Sequence, residues 1–135
     1  MLFRSRLCYS GKYTEKEMIK QLVGKAGFNA YCGSNDARDI EAMAKNGDKH
    51  AQLVFDAFLY QVSKDIGAQA AVLSGKVDQI ILTGGIAYGK YATEEITKRV
   101  QFIAPVTVYG GEDELLALAQ GALRVLNGEE EAKVY

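Results

Sequence analysis

The chain has 135 residues, 48% of them apolar and 24% charged, with a formal net charge of −1. That composition suits one globular domain with a real core and excludes a disordered chain. The near-zero charge gives no basis for a nucleic-acid or anionic-membrane partner, no apolar run is long enough to span a bilayer, and the basic residues 1–6 lack the apolar stretch of a signal peptide.

In chain order, Thr14-Glu15-Lys16-Glu17 is a capping box and predicts a helix over 15–23, stopped by Gly24 and Gly27. Residues 28–32 are apolar and few, which predicts an extended segment. Gly33-Ser34-Asn35 is a turn, and a helix is expected over 36–45, ended by Asn46-Gly47. Asp48 then caps the longest element. Val54, Phe58, Val62, Ile66, Ala70 and Leu73 form its apolar stripe, widened by Ala51, Phe55 and Leu59, so the helix runs to Ser74. Small side chains over 66–71 permit close approach of a neighbour.

Gly75 closes that helix, and residues 79–82 read as a short buried strand. It stops at Thr83-Gly84-Gly85. A helix over 93–102 is broken by Pro105, and a second strand is expected over 106–109, ending at Gly110-Gly111. The last helix, 113–126, carries Leu115, Leu118, Ala119, Ala122 and Leu126 on what reads as an inner face. Glu129-Glu130-Glu131 is a solvated tail. Cys8 and Cys32 show no metal or redox spacing and read as reduced thiols of a cytoplasmic protein.

Strand-helix-strand-helix predicts a parallel α/β unit. Two strands, with a possible third, make too thin a sheet for this much helix. More of the sheet is therefore expected from residues outside this chain, or from a second chain.

The segment Gln79-Ile80-Ile81-Leu82-Thr83-Gly84-Gly85-Ile86-Ala87 concentrates the functional signal. Two glycines at a strand end let a ligand lie against bare backbone. In open α/β sheets, ligands collect beyond the carboxyl ends of strands, near helix N-termini. A nucleotide or another planar, anionic ligand is the expected occupant.

Three segments extend that signal: Cys8-Tyr9-Ser10-Gly11-Lys12-Tyr13-Thr14, Gly33-Ser34-Asn35-Asp36-Ala37-Arg38 and Leu82-Thr83-Gly84-Gly85-Ile86-Ala87-Tyr88. So do Phe102-Ile103-Ala104-Pro105-Val106, Gly111-Glu112-Asp113-Glu114 and Gly121-Ala122-Leu123-Arg124-Val125-Leu126. In this order and spacing the chain resembles the acetate kinase family of acyl-phosphate-forming kinases, its butyrate kinase branch in particular, over roughly residues 7–135. The resemblance implies part of the second, nucleotide-binding lobe of a two-lobed, actin-like ATPase fold (acetate and sugar kinase, ribonuclease H-like), with few strands and long helices. Residues 1–6 would then be a non-native leader.

By the same resemblance the parent reaction is ATP + butyrate ⇌ ADP + butyryl phosphate, in a cytoplasmic enzyme that is a homo-oligomer at full length. This chain would supply the adenosine half and be inactive alone. Acetate or a branched-chain fatty acid are the alternative acceptors, and a non-catalytic actin-like module is the alternative class. Gly84, Gly85, Ile86 and Ala87 would form the adenosine site. Asn35, Asp36, Ala37 and Arg38 match the second nucleotide-contacting segment, with Asp36 suited to a ribose hydroxyl and Arg38 to phosphate oxygens. Asp113, in the acidic cluster 112–114, would serve the Mg²⁺ that accompanies ATP. One departure is Gly110-Gly111, where relatives carry Pro-Gly; losing the proline loosens the loop. His50 reads as a surface or capping residue, and Tyr9, Tyr13, Tyr88 and Tyr109 read as core-edge packing.

Overall fold

The computed structural model describes residues 2–111 and 114–132. Seven helices and two short strands follow one another among them: α1 (Leu2–Cys8), α2 (Glu15–Val23), α3 (Phe28–Cys32), α4 (Ala37–Lys45), α5 (Lys49–Val72), β1 (Ile80–Leu82), a 3-10 turn (Gly85–Tyr88), α6 (Lys90–Val100), β2 (Val106–Val108) and α7 (Glu114–Leu126).

Local chemistry sets the helix starts. The Thr14 hydroxyl accepts from the Glu17 N–H while the Glu17 carboxylate accepts from the Thr14 N–H, the reciprocal box expected of that sequence. Asp36 caps α4 and Asp48 caps α5, each through its side-chain carboxylate. Residues 28–32 are helical, not extended. Gly27, with φ 61°, turns the chain into α3, and Phe28 then packs its ring 4.9 Å from Phe58, centroid to centroid. Tertiary packing overrides a weak local preference there. Helix α6 starts at Lys90, three residues ahead of expectation.

The core lies where α5 meets α4 and α6. Phe55, Leu59, Ile40 and Val100 are its largest fully buried side chains. On α5 the buried row is Ala51, Phe55, Leu59 and Ser63, spaced every four residues. Val54, Phe58, Val62, Ile66 and Ala70 flank it half-buried, and Leu73 is exposed, so the stripe is rotated from the one expected. Ser63 is tolerated inside because its hydroxyl donates to the Leu59 carbonyl, 2.8 Å away.

β1 and β2 pair in parallel, Ile80 opposite Val106 and Leu82 opposite Val108, as the βαβ reading anticipated. Ile80 is buried, whereas Ile81, on the other face, is 60% exposed. Helix α7 does not bury its apolar residues among the described ones: Leu115 is 85% exposed and Leu126 80%. Tyr9, Tyr13, Tyr88 and Tyr109 are also exposed rather than packed at core edges.

Candidate functional site

The two diglycines meet. Beyond the carboxyl ends of β1 and β2 the chain is joined by a bridge between Gly84 and Gly111. Gly84 turns with φ 81°, a conformation that side chains resist, and the 3-10 turn follows at once. Gly110 and Gly111 have a different reason to be small. A Cβ on Gly110 would lie 3.2 Å from Tyr88 Cδ1, and one on Gly111 would lie 2.9 Å from the Tyr88 hydroxyl. The Tyr88 side chain therefore rests on the second diglycine.

Between this corner and helix α4 lies a cavity of about 1160 Å³, large enough for a nucleotide. One wall is Thr83, Gly85, Ile86, Tyr88, Gly89 and Lys90; the facing wall is Asn35, Asp36, Ala37, Arg38, Glu41 and Lys45; Phe55 and Ala92 close the floor. The structure thus brings Asn35, Asp36, Ala37 and Arg38 to the same cavity as Gly85 and Ile86. Gly84 and Ala87 stand behind the lining, the first shaping the corner and the second buried. Asp113 lies outside the described residues, and among those described no group of three potential metal-ligating side chains occurs.

Asp36 and Arg38 are engaged with each other. The Asp36 carboxylate accepts from the Arg38 N–H at 2.9 Å and from Arg38 Nε at 3.0 and 3.1 Å. These bonds, the Arg38 side chain first, hold the Asp36 pKa down to about 2 from its ordinary 3.8. The Asp36 N–H in turn donates to Ser34 Oγ, which donates to Asp39 at 2.6 Å. The turn that presents Asn35 and Asp36 is therefore pinned on both sides.

Arg38, Glu41 and Lys45 sit at i, i+3 and i+7, one face of α4. Glu41 Oε1 lies 2.9 Å from Lys45 Nζ. Glu41 Oε2 is close enough to Gly89 that a Cβ there would come within 3.2 Å of it. Glu41, Lys45, Gly89 and Lys90 were not singled out from the sequence, and Tyr88, read there as core-edge packing, lines the cavity. The helical spacing on α4 was the available signal for the first two.

Behind the cavity wall, the Tyr91 hydroxyl of α6 donates to Asp56 Oδ1 of α5 at 2.7 Å, and Gln52 Nε2 donates to both. That bond to Asp56, then desolvation, raises the Tyr91 pKa. Tyr91 also stacks on Phe55, with centroids 6.2 Å apart. The helix that follows the glycine corner is thereby fixed to the core.

The model of the acetokinase family matches residues 7–132. The chain is 62% identical to butyrate kinase 2 of Clostridium acetobutylicum and 55% identical to a probable butyrate kinase of Clostridium botulinum strain Alaska E43. Each match covers 96% of this chain but only 36% and 37% of those relatives, so the chain spans little more than a third of their length. Among solved structures, the acetate kinase of Porphyromonas gingivalis superposes with a TM-score of 0.65 at 28% identity, over 75% of this chain and 26% of that one. A propionate kinase from Francisella tularensis gives 0.62 at 25%, over 76% and 26%. The fold is accordingly part of an actin-like ATPase fold, mostly helical and with few strands.

Proposed function

The chain belongs to the acetokinase family, and from that membership we propose that it supplies the adenosine-binding part of a kinase that converts ATP and butyrate to ADP and butyryl phosphate. The cavity between the glycine corner and α4 carries this reading, because it lies beyond the carboxyl ends of two parallel strands. Higher identity to the butyrate kinases than to the acetate and propionate kinases supports butyrate as the acceptor.

In the reaction a carboxylate oxygen attacks the γ-phosphorus, the bridging P–O bond breaks, and its electron pair leaves on ADP. Such transfer is chiefly positioning and charge neutralisation. Bound Mg²⁺ supplies part of the neutralisation, and Asp113 is the residue proposed to serve it. The residues described here hold and orient adenosine. Gly85 and Ile86 form the side on which backbone and the Ile86 side chain meet the nucleoside, while Gly84 and Ala87 shape that corner from behind. Asn35, Asp36, Ala37 and Arg38 form the other. Because Asp36 and Arg38 bond to each other, the pair presents a single edge with a flat guanidinium face.

The chain is further proposed to be inactive without the rest of such a kinase, and to belong to a cytoplasmic homo-oligomer at full length. Titration calorimetry with ADP tests the site: saturable binding is expected, and no binding at millimolar ADP overturns it. An acyl-phosphate assay on the purified chain tests the division of labour. No turnover is expected, and robust turnover would show that the chain carries the acceptor site as well.

A further inference from the structure

The adenosine reading gives no task to the one carboxylate besides Asp36 that lines the cavity. Glu41 has a fully buried carboxylate oxygen, Oε1, that no donor meets in hydrogen-bond geometry. Lys45 Nζ approaches it as an ion-pair partner at 2.9 Å without completing such a bond. Only 14% of the Glu41 side chain is exposed. The ion pair meets the charge, but a single cation leaves most of a carboxylate's roughly four acceptor sites unused, and native structures rarely leave buried acceptors so.

The other carboxylate of that wall is committed. Asp36 accepts from the Arg38 backbone and side chain and caps α4. Glu41 stands more than one helical turn further along α4, its Oε2 beside Gly89 of the opposite wall. A Cβ on Gly89 would come within 3.2 Å of that carboxylate, so the two walls lie close together there. The last torsion of a glutamate is broad and roughly two-fold. The carboxylate can therefore turn towards an entering donor while keeping Lys45 within ion-pair distance.

We propose that the Glu41 carboxylate is a specificity-determining acceptor in this cavity, taking a hydrogen bond from a donor group of the nucleoside. The proposal rests on the cavity being a nucleotide site. Adenosine offers two kinds of donor, the exocyclic amino group of the base and the ribose hydroxyls, and both match a carboxylate. Glu41 thus takes over the acceptor role that the sequence suggested for Asp36.

The test is calorimetry on the full chain with four ligands: ADP, its 2′-deoxy and 3′-deoxy analogues, and the purine riboside 5′-diphosphate that lacks the amino group. Wild type is expected to bind ADP about tenfold or more tightly than at least one analogue, as a hydrogen bond to a charged acceptor predicts. In Glu41→Met that discrimination should vanish; in Glu41→Gln, which keeps one carbonyl acceptor, it should shrink. The analogue that shows the effect identifies the donor as base or ribose. Circular dichroism checks that each variant folds, and Glu41→Gln carries the test should Glu41→Met not fold. Equal weakening of all four ligands in the variants would mean a scaffolding role and overturn the proposal. Unchanged discrimination, or none in wild type, would do the same while leaving the nucleotide site standing. Failure of wild type to bind ADP at all would overturn both.

Discussion

Gly111 is held small by a neighbour as well as by its own backbone. Its φ of 132° is a conformation L side chains rarely adopt, and the Tyr88 hydroxyl occupies the space a Cβ would need. Gly111→Ala is expected to cost about 1–3 kcal/mol in chemical denaturation. Adding Tyr88→Ala should recover part of that loss; strict additivity of the two changes would deny the contact. Asp36 offers a second test. Its folded pKa of about 2 lies below the ordinary 3.8, so the Asp36–Arg38 pair contributes fully above that ordinary value and loses its contribution as pH falls through about 2. Carboxyl-carbon NMR should find Asp36 still ionised at pH 3, and Arg38→Ala should move its titration up towards the usual carboxylate range.

Among the elements, the contact of α5 with α6 is where the site meets the core. Tyr91→Phe removes the hydroxyl shared with Asp56 and Gln52 and should destabilise by about 1 kcal/mol, read as a shift of the denaturation midpoint. Because the Tyr91 pKa is raised, this contribution is complete below the ordinary tyrosine value and disappears as pH rises through the elevated one. Sequence revealed those parts of the fold that short-range chemistry decides. Thr14 and Asp48 announced their helices because a cap needs only a side chain and the next few N–H groups. Gly84-Gly85 announced the corner because a strand cannot turn that way with side chains. What stayed hidden depends on distant partners: Phe28 makes α3 helical by packing on Phe58, and which row of α5 is buried depends on where α4 and α6 lie. Glu41 and Lys45 were hidden for the same reason, since only the fold sets their helix face opposite Gly89.

For the molecule as a whole, much apolar surface is uncovered among the described residues. Ile81 on the free sheet face and the leucines of α7 are exposed among the described residues. Surface of this kind promotes association. Leu115→Glu combined with Leu126→Glu should lower light scattering at high concentration. The denaturation midpoint should hardly move, because exposed positions typically contribute within about 0.5 kcal/mol. A loss of several kcal/mol would mean that α7 is packed inside the isolated chain after all. No helix is long and apolar enough to cross a membrane among the described residues, so α7 cannot owe its leucines to a transbilayer role as a helix.

Phe55 belongs at once to the centre of the core and to the floor of the cavity. Whatever settles there leans on the same ring that keeps the three main helices together. Truncating that ring would cripple grip and robustness in a single stroke, so the floor offers no independent dial for affinity. The walls do, and anyone wishing to retune this protein's appetite without softening its frame should leave the basement alone and redecorate the sides.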